Sequence, residues 1–483
     1  MKDKNLIVAS NRGPVEFHFE NNDIQMKRGA GGLVSTLLPF MTTFNGTWVA
    51  SAMTEGDRKM AEGHEKCLVP IPEESPEFCV SFIAVEPGIY EEYYSVISNP
   101  LLWFVQHYMY NTPYVPIIDD NIHKAWHDSY VYVNKLFADR IVEETRNDDR
   151  RPLIMLQDYH LYTCPGYIRE QIENIFLSQF IHIPWPQSEY FSILPEYMQE
   201  SIVRGLLSND IVGFHIEKYA RNFLYTAEPY VDKVDYKTNK IWYDGRVISV
   251  NAYPISVDDK KLIENAKSNE VLKNEEFIKK IKGDNFLIYR TDRADLSKNI
   301  IRGFQAYELF LQKHPEFHGK VKFLSTGMPT RQQIKEYSDY RDETYRIIDS
   351  INERYSKDGW KPIEQVFKAD YNLVTAAFKH YDCLIVNPIV DGMNIVAKEG
   401  PVVNENKGVL IMSNGAGSYE ELKEYSIIVN AYDISQTADA IYRVIMMSQE
   451  ERKRLIEGLK ATVSERNVYI WMQDQFDDIR KLY

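Results

Sequence analysis

The sequence predicts an α/β protein in which two doubly wound, parallel-sheet halves face one another across a cleft. Three observations carry that prediction. Apolar strand-like runs alternate with helix-forming stretches, the pattern of a parallel sheet with helices on both faces. The alternation occurs twice, and the joint falls near Asn251-Ala252-Tyr253-Pro254-Ile255, where Pro254 biases Tyr253 toward extended backbone. At 483 residues the chain is too long for one ordinary core.

The strand-like runs of the first half are Leu6–Ala9, Leu153–Leu156, Phe180–Ile183, Ile211–Phe214 and Val247–Val250. Phe286–Arg290, Val321–Ser325, Cys383–Asn387 and Val409–Met412 give the second half four of its own. Between them, Pro195–Leu207, Ile300–His314, Thr330–Tyr355 and Ala438–Met447 read as helices. No internal repeat is evident. In such folds ligands collect at the C-terminal edges of the strands.

Composition excludes several function classes. A formal charge of −14 without a basic block argues against a nucleic-acid surface. Cys67, Cys79, Cys164 and Cys383 lie far apart, without CxxC spacing, and read as reduced buried thiols rather than metal ligands or disulfides. No run approaches membrane-spanning length, and the start resembles no signal peptide, so a cytoplasmic protein without membrane contact is expected.

The most informative stretch is Asp391-Gly392-Met393-Asn394-Ile395-Val396-Ala397-Lys398-Glu399, directly after a strand-like run. A strand end, a turn and a helix N-terminus offer unpaired N–H groups to an anion or to sugar hydroxyls. Glu399 would lie about two helical turns further on, roughly 12 Å along the axis, and reach another part of an extended ligand. An acidic N-cap and a surface glutamate fit the same spacing. A second cluster, Arg290-Thr291-Asp292-Arg293-Ala294-Asp295-Leu296-Ser297-Lys298-Asn299, follows another strand. Arg293 and Lys298 there can neutralise a diphosphate, the more so as it departs. A salt-bridged loop with Asp292 and Asp295 fits equally well. The glycines of Lys27-Arg28-Gly29-Ala30-Gly31-Gly32-Leu33-Val34 permit close approach to phosphate, yet match neither a Walker nor a dinucleotide-binding spacing. Asp158-Tyr159-His160 and His182-Ile183-Pro184 each follow a strand of the first half.

Taken in order, these pieces resemble the trehalose-6-phosphate synthases of glycosyltransferase family 20 over nearly the whole chain. The matching set is Ser10-Asn11-Arg12, Gly29–Leu33, Tyr93-Tyr94 with Trp103, Asp158–Leu161, His182–Pro184, Arg293 with Lys298, Arg331, and Asp391–Asn394 through Glu399. The resemblance implies a GT-B fold of two Rossmann-like domains. An acceptor-binding domain would span residues 1–254 and a nucleotide-sugar-binding domain 255–465. A C-terminal helix within 466–483, near Ile470–Leu482, would cross back to the first domain.

It also implies a retaining transfer of glucose from a nucleoside-diphosphate glucose to glucose 6-phosphate. Carried over by position, Arg293 and Lys298 would hold the donor diphosphate, with the backbone at Gly31 and Gly32 touching it. Glu399 would bind the ribose, and Asp391, His182 and the amides of Gly392, Met393 and Asn394 the donor sugar. The base would meet backbone around Phe367–Val374 and Gly408–Ile411. Arg12, Tyr94, Trp103 and Arg331 would form the acceptor phosphate pocket, and Asp158 would contact the acceptor sugar. Arg293, Lys298, His182 and Asp158 are thus the candidate catalytic residues. No metal or cofactor is required, and Mg²⁺ would at most stimulate. The partners expected are small-molecule substrates and other copies of the chain.

Departures point to one alternative, or to a reshaped pocket in an ordinary synthase, and a different function class offers another. Asn299 stands where many synthases have glycine, and Ser51 where a second pocket tryptophan is expected. With Thr291-Asp292-Arg293 and Trp48-Val49-Ala50, they resemble the validamycin-type pseudo-glycosyltransferases, which join a nucleotide-linked cyclitol to a phosphorylated aminocyclitol. The other alternative is a non-catalytic sugar-phosphate-binding homologue, whose mark would be loss of Arg293, Lys298 or Glu399. All three are present.

Overall fold

The computed structural model describes residues 6–20, 23–29, 32–64, 68–72, 74–146, 151–367 and 370–482. Ala30, Gly31 and Cys67 lie outside them, as do Lys368 and Ala369 of the expected base pocket. The chain divides into two compact units, Met1–Tyr253 with Asp474–Tyr483, and Pro254–Gln473. Each carries a sheet whose central strands are parallel, as the alternation predicts; the unit 1 sheet adds antiparallel strands at both edges.

In unit 1 the strands are β1 (Leu6–Ser10), β2 (Val15–Glu20), β3 (Asp23–Arg28), β4 (Thr47–Ser51), β5 (Leu68–Ile71) and β6 (Phe78–Ile83). They continue with β7 (Leu153–Gln157), β8 (Phe176–Phe180), β9 (Ile211–Phe214), β10 (Lys233–Asp235), β11 (Lys240–Tyr243) and β12 (Arg246–Ala252). A ten-stranded sheet runs β10-β11-β12-β9-β8-β7-β1-β4-β6-β5, and β2 and β3 form a separate hairpin. The strands from β12 to β6 are parallel. Both faces of a parallel sheet are covered, so its strands are buried end to end rather than alternately. β1, β7 and β8 are buried at every position.

Unit 2 holds β13 (Phe286–Arg293), β14 (Val321–Met328), β15 (Ile363–Phe367), β16 (Cys383–Val386), β17 (Val409–Ser413) and β18 (Ile427–Val429). They lie in the order β15-β14-β13-β16-β17-β18, all parallel. Side chains alternate between the faces, as strand geometry requires. Leu287, Tyr289, Leu384, Val386, Leu410 and Met412 feed one core, with the helix Tyr371–His380. Ile288, Phe323, Cys383, Ile385, Val409 and Ile411 feed the other, with Phe304, Tyr307 and Phe310 of the helix Ile300–Lys313. Burying each large apolar side chain contributes roughly 1.5–3 kcal/mol, so this two-sided core fixes the strand ends that carry the loops.

Both sheets reverse their winding order at one place. In unit 1 the chain steps outward from β1 through β4 to β6, then from β7 through β8 and β9 to β12 on the other side. The reversal lies between neighbours β1 and β7. In unit 2 it lies between β13 and β16. At such a point adjacent connections depart to opposite sides of the sheet and leave room for a ligand.

Three expectations are corrected. The strand expected at Phe180–Ile183 is Phe176–Phe180; its buried Ser178 and Gln179 interrupt the apolar run that marks such strands. The helix expected from Thr330 begins at Lys335. Among the described residues unit 2 has six strands, the extra two being the polar-studded β15 and the three-residue β18.

Candidate active site

In unit 1, the loops after β1 and β7 supply Arg12 and Asp158, and the loop after β8 supplies His182. Asp158 takes φ 71° and ψ 177°, a region populated almost solely by glycine. Hydrogen bonds hold it there. Its N–H donates to Phe180 O at 2.7 Å, and its carbonyl accepts from Gln179 Nε2 at 3.1 Å. Its carboxylate accepts from the His182 N–H at 3.2 Å. The His182 ring meets Gln157 Oε1 through Nε2 at 2.9 Å. Burial holds the imidazole's pKa down to about 3, so His182 is neutral near pH 7.

Aromatic rings join the remaining residues. The segment Glu92–Leu102 is π-helical, a form that recurs at functional sites. Tyr94 within it lies between two nearly parallel rings, Tyr90 at 5.8 Å and His160 at 5.9 Å. His160 adjoins Tyr159, whose ring is 5.7 Å from Trp103. Tyr94, Trp103 and Asp158 therefore converge through the two residues that follow Asp158. The Asn11 amide donates to Tyr90 OH at 3.0 Å and accepts from Ser51 Oγ at 3.2 Å. Arg12, next in sequence, is exposed. Tyr90 and Gln157 were not singled out from sequence, and Asn11 was named only within the Ser10-Asn11-Arg12 match, without a role of its own.

Gly32 opens the helix Gly32–Phe44. Gly29 has a packing role: a Cβ there would stand 2.7 Å from Gly13 O, and its N–H donates to Pro14 O at 2.8 Å.

In unit 2, the connections after β13 and β16 meet at the winding reversal. Lys298 Nζ donates to Asp391 Oδ2, and both side chains are largely buried. Asn394, at φ 69°, donates to the same oxygen at 3.0 Å. Behind this loop stands another, after β17, that the sequence reading passed over. The N–H of Asp391 donates to Gly415 O at 2.9 Å, and that of Ser418 to Met393 O at 2.8 Å. Cβ atoms on Gly415 and Gly417 would lie 2.1 Å from Ile389 O and 2.0 Å from Gly392 O, so both positions demand glycine. The next helix begins at Val396, so Glu399 is one turn into it rather than two turns beyond Asp391. Glu399 is half-buried and accepts from Tyr371 OH at 3.0 Å. Burial pushes its carboxyl up to about 7.

Arg293 ends β13 and is exposed. Arg290, buried, donates to Asp292 at 2.7 Å and to the Lys298 carbonyl at 3.1 Å. Asp295, fully buried, accepts from Arg331 Nη1 at 3.1 Å. Arg331 has φ 48° and donates to Tyr337 OH at 2.6 Å. The switch-point loops thus combine Arg293, Lys298, Asp391 and Asn394, while Arg331 stands on the loop after β14 and is anchored to the first of them.

Asn299 is explained by its backbone. It lies at φ 59° and ψ 39°, a left-handed conformation that glycine and asparagine accept most readily. Its amide donates to Asn387 O at 3.0 Å and Ala431 O at 2.7 Å, tying the ends of β16 and β18 to the loop.

The sequence profile of glycosyltransferase family 20 matches residues 4–481. This chain belongs to glycosyltransferase family 20. Relatives within the family include an α,α-trehalose-phosphate synthase [UDP-forming] of Dictyostelium discoideum, 30% identical over 96% of this chain. This chain spans 61% of that relative's length. An α,α-trehalose-phosphate synthase [UDP-forming] of Aspergillus fumigatus is 30% identical, with 97% of this chain and 95% of that one covered. Among solved structures, an E. coli trehalose-6-phosphate protein bound with UDP-2-fluoro glucose superposes with a TM-score of 0.85. Identity is 26%, and 98% of each chain is covered. A Burkholderia xenovorans α,α-trehalose-phosphate synthase in complex with glucose-6-phosphate gives 0.84 at 27% identity, covering 99% and 100%. Family membership makes the protein a glycosyltransferase, with two Rossmann-like domains of the GT-B type. Among the described residues, no helix is long and apolar enough to cross a membrane.

Proposed function

We propose that this protein moves glucose from UDP-glucose to glucose 6-phosphate with retention, giving α,α-trehalose 6-phosphate and UDP. The observation that carries the reading is the cationic loop of Arg293 and Lys298 beside Asp391 at the winding reversal of unit 2. Related synthases described as UDP-forming supply the choice of base.

In this reading Arg293 grips the diphosphate bidentately and Lys298 acts as a point charge on it. The bond from the glucosyl anomeric carbon to the diphosphate oxygen breaks as charge develops on that oxygen, and the two cations stabilise it. The acceptor hydroxyl attacks the same face, and its proton passes to the departing phosphate oxygen. His182 fits a hydrogen-bonding role, because a neutral imidazole with a pKa of about 3 neither gives nor takes a proton near pH 7. Asp391, His182 and the Gly392–Asn394 backbone hold the donor sugar, Glu399 the ribose, and Gly32 the diphosphate. On the acceptor side, Asp158 contacts the sugar. Arg12, Tyr94, Trp103 and Arg331 are the residues assigned to its phosphate. No step needs a metal.

The test is a product assay with glucose 6-phosphate and UDP-, GDP- and ADP-glucose in parallel, read by mass spectrometry. The expected product is a disaccharide phosphate that an α,α-trehalose-specific hydrolase cleaves after dephosphorylation. Absence of product from every donor overturns the reading. With Arg293→Ala, turnover falls by orders of magnitude while the fold survives; near-normal turnover would remove Arg293 from its role.

A further inference from the structure

One buried aspartate contacts all three cationic residues of this reading's two phosphate sites on unit 2, Arg293 and Lys298 through its backbone and Arg331 through its carboxylate. The backbone N–H of Asp295 donates to the Arg293 carbonyl at 2.7 Å, and its carbonyl accepts from the Lys298 N–H at 3.0 Å. Its side chain divides its two oxygens. Oδ1 accepts from the N–H of Ser297 at 3.0 Å and from its hydroxyl at 2.9 Å, which sets the turn that presents Lys298. Oδ2 accepts from Arg331 Nη1 at 3.1 Å and from Tyr337 OH at 3.4 Å.

A carboxylate buried at 0% exposure is tolerated only when paired and fully hydrogen-bonded. The four donors named come from two elements: its own loop and the connection after β14. Neither set can shift without disturbing the other, because both converge on one planar group about 2 Å across. Arg331 itself takes a left-handed backbone conformation, at φ 48°.

We propose that Asp295 is a positioning residue that couples the donor diphosphate to the acceptor phosphate. Seating a diphosphate on Arg293 and Lys298 fixes the loop, the loop fixes the carboxylate, and the carboxylate orients Arg331. This rests on the assignment of Arg331 to the acceptor given above. Coupling between sites is reciprocal, so the acceptor strengthens nucleotide binding by the same factor.

The test is calorimetric titration of the full-length protein with glucose 6-phosphate, with and without saturating UDP. In the wild type UDP tightens glucose 6-phosphate binding by about tenfold, within the usual span of coupling between sites. Asp295→Asn cannot accept at both oxygens. Its two ligands still bind, but UDP changes the acceptor affinity less than about twofold, a change small on the scale of ordinary coupling. A melting curve checks that the variant folds. Ser297→Ala removes one donor from the loop side only, keeps the Arg331 pair, and gives an intermediate ratio. An unchanged ratio in either variant overturns the proposal, as does a wild type in which UDP leaves glucose 6-phosphate affinity unaltered. A purely structural role would lower both affinities or the melting point and leave their ratio intact. Failure of the wild type to bind glucose 6-phosphate at all would overturn the acceptor assignment and this proposal with it.

Discussion

Lys298 and Asp391, 93 residues apart in sequence, form a largely buried ion pair across the winding reversal of unit 2. The proposed diphosphate ligand and the proposed sugar ligand therefore neutralise one another before any donor arrives. A diphosphate must compete with Asp391 for the ammonium group, while a donor sugar gives Asp391 new hydrogen-bond donors. Asp391→Asn is expected to tighten binding of UDP alone, by roughly three- to tenfold, because Lys298 is released from its partner. Turnover with UDP-glucose should fall in the same variant. Weaker UDP binding in a titration would show that the pair does not compete with the nucleotide.

Strain at Asp158 makes stability and activity separable. The glycine-only backbone region costs of order 1–3 kcal/mol for any other residue. Asp158→Gly relieves that cost, while Asp158→Ala retains it and loses the carboxylate's bond to the His182 N–H. The glycine variant should melt at least as high as the alanine variant, and both should lose acceptor turnover. A glycine variant that melts well below the alanine variant would refute the strain account.

Glu399 should give donor use a pH dependence. Burial pushes its carboxyl up to about 7, so it is mostly protonated below that pH and ionised above it. The ionised form accepts ribose hydroxyls at both oxygens, so kcat/KM for the donor is expected to rise through about pH 7. Folding runs the other way. The folded carboxyl holds its proton more tightly than the unfolded one, so its contribution favours the folded chain at acid pH and is lost as pH rises through about 7. Glu399→Gln should flatten the donor profile. A profile unchanged by that substitution would assign the titration to another group.

Asn299 should tolerate glycine better than alanine. Asn299→Gly keeps the left-handed backbone and loses the bonds to Asn387 O and Ala431 O, costing about 1–3 kcal/mol for two buried hydrogen bonds. Asn299→Ala loses the same bonds and adds backbone strain. Denaturant melts should rank wild type above glycine above alanine, and the glycine variant should keep its acceptor preference. A changed acceptor preference would restore Asn299 as a specificity residue.

Continuous apolar runs made many of the central strands legible, because a strand covered on both faces has no polar side to write into sequence, although the buried parallel strands β4 and β6 were passed over. Strands that depart from that condition were missed or displaced. β8 carries buried Ser178 and Gln179, β15 carries Glu364 and Gln365, and β10 and β11 are short antiparallel additions at an edge. The Asp391 and Arg293 loops were readable because charge and glycine directly follow a strand. The contacts that hold them were not. Gly415 and Gly417 act by lacking a Cβ, and Asp295 and Arg331 meet across 36 residues through a fold that local spacing does not encode.

The order in which the chain is made is not the order in which its parts can be completed. Unit 2 is one uninterrupted segment, Pro254–Gln473, while unit 1 needs Asp474–Tyr483 as well. That segment supplies Phe476 against Phe44, and Asp478 accepts from Asn251 Nδ2 and Tyr253 OH, each at 2.9 Å. Domains commonly finish folding from the N-terminus as a chain emerges from the ribosome. Here the unit begun first is finished last, and its final wall waits for the whole of the other unit to be synthesised.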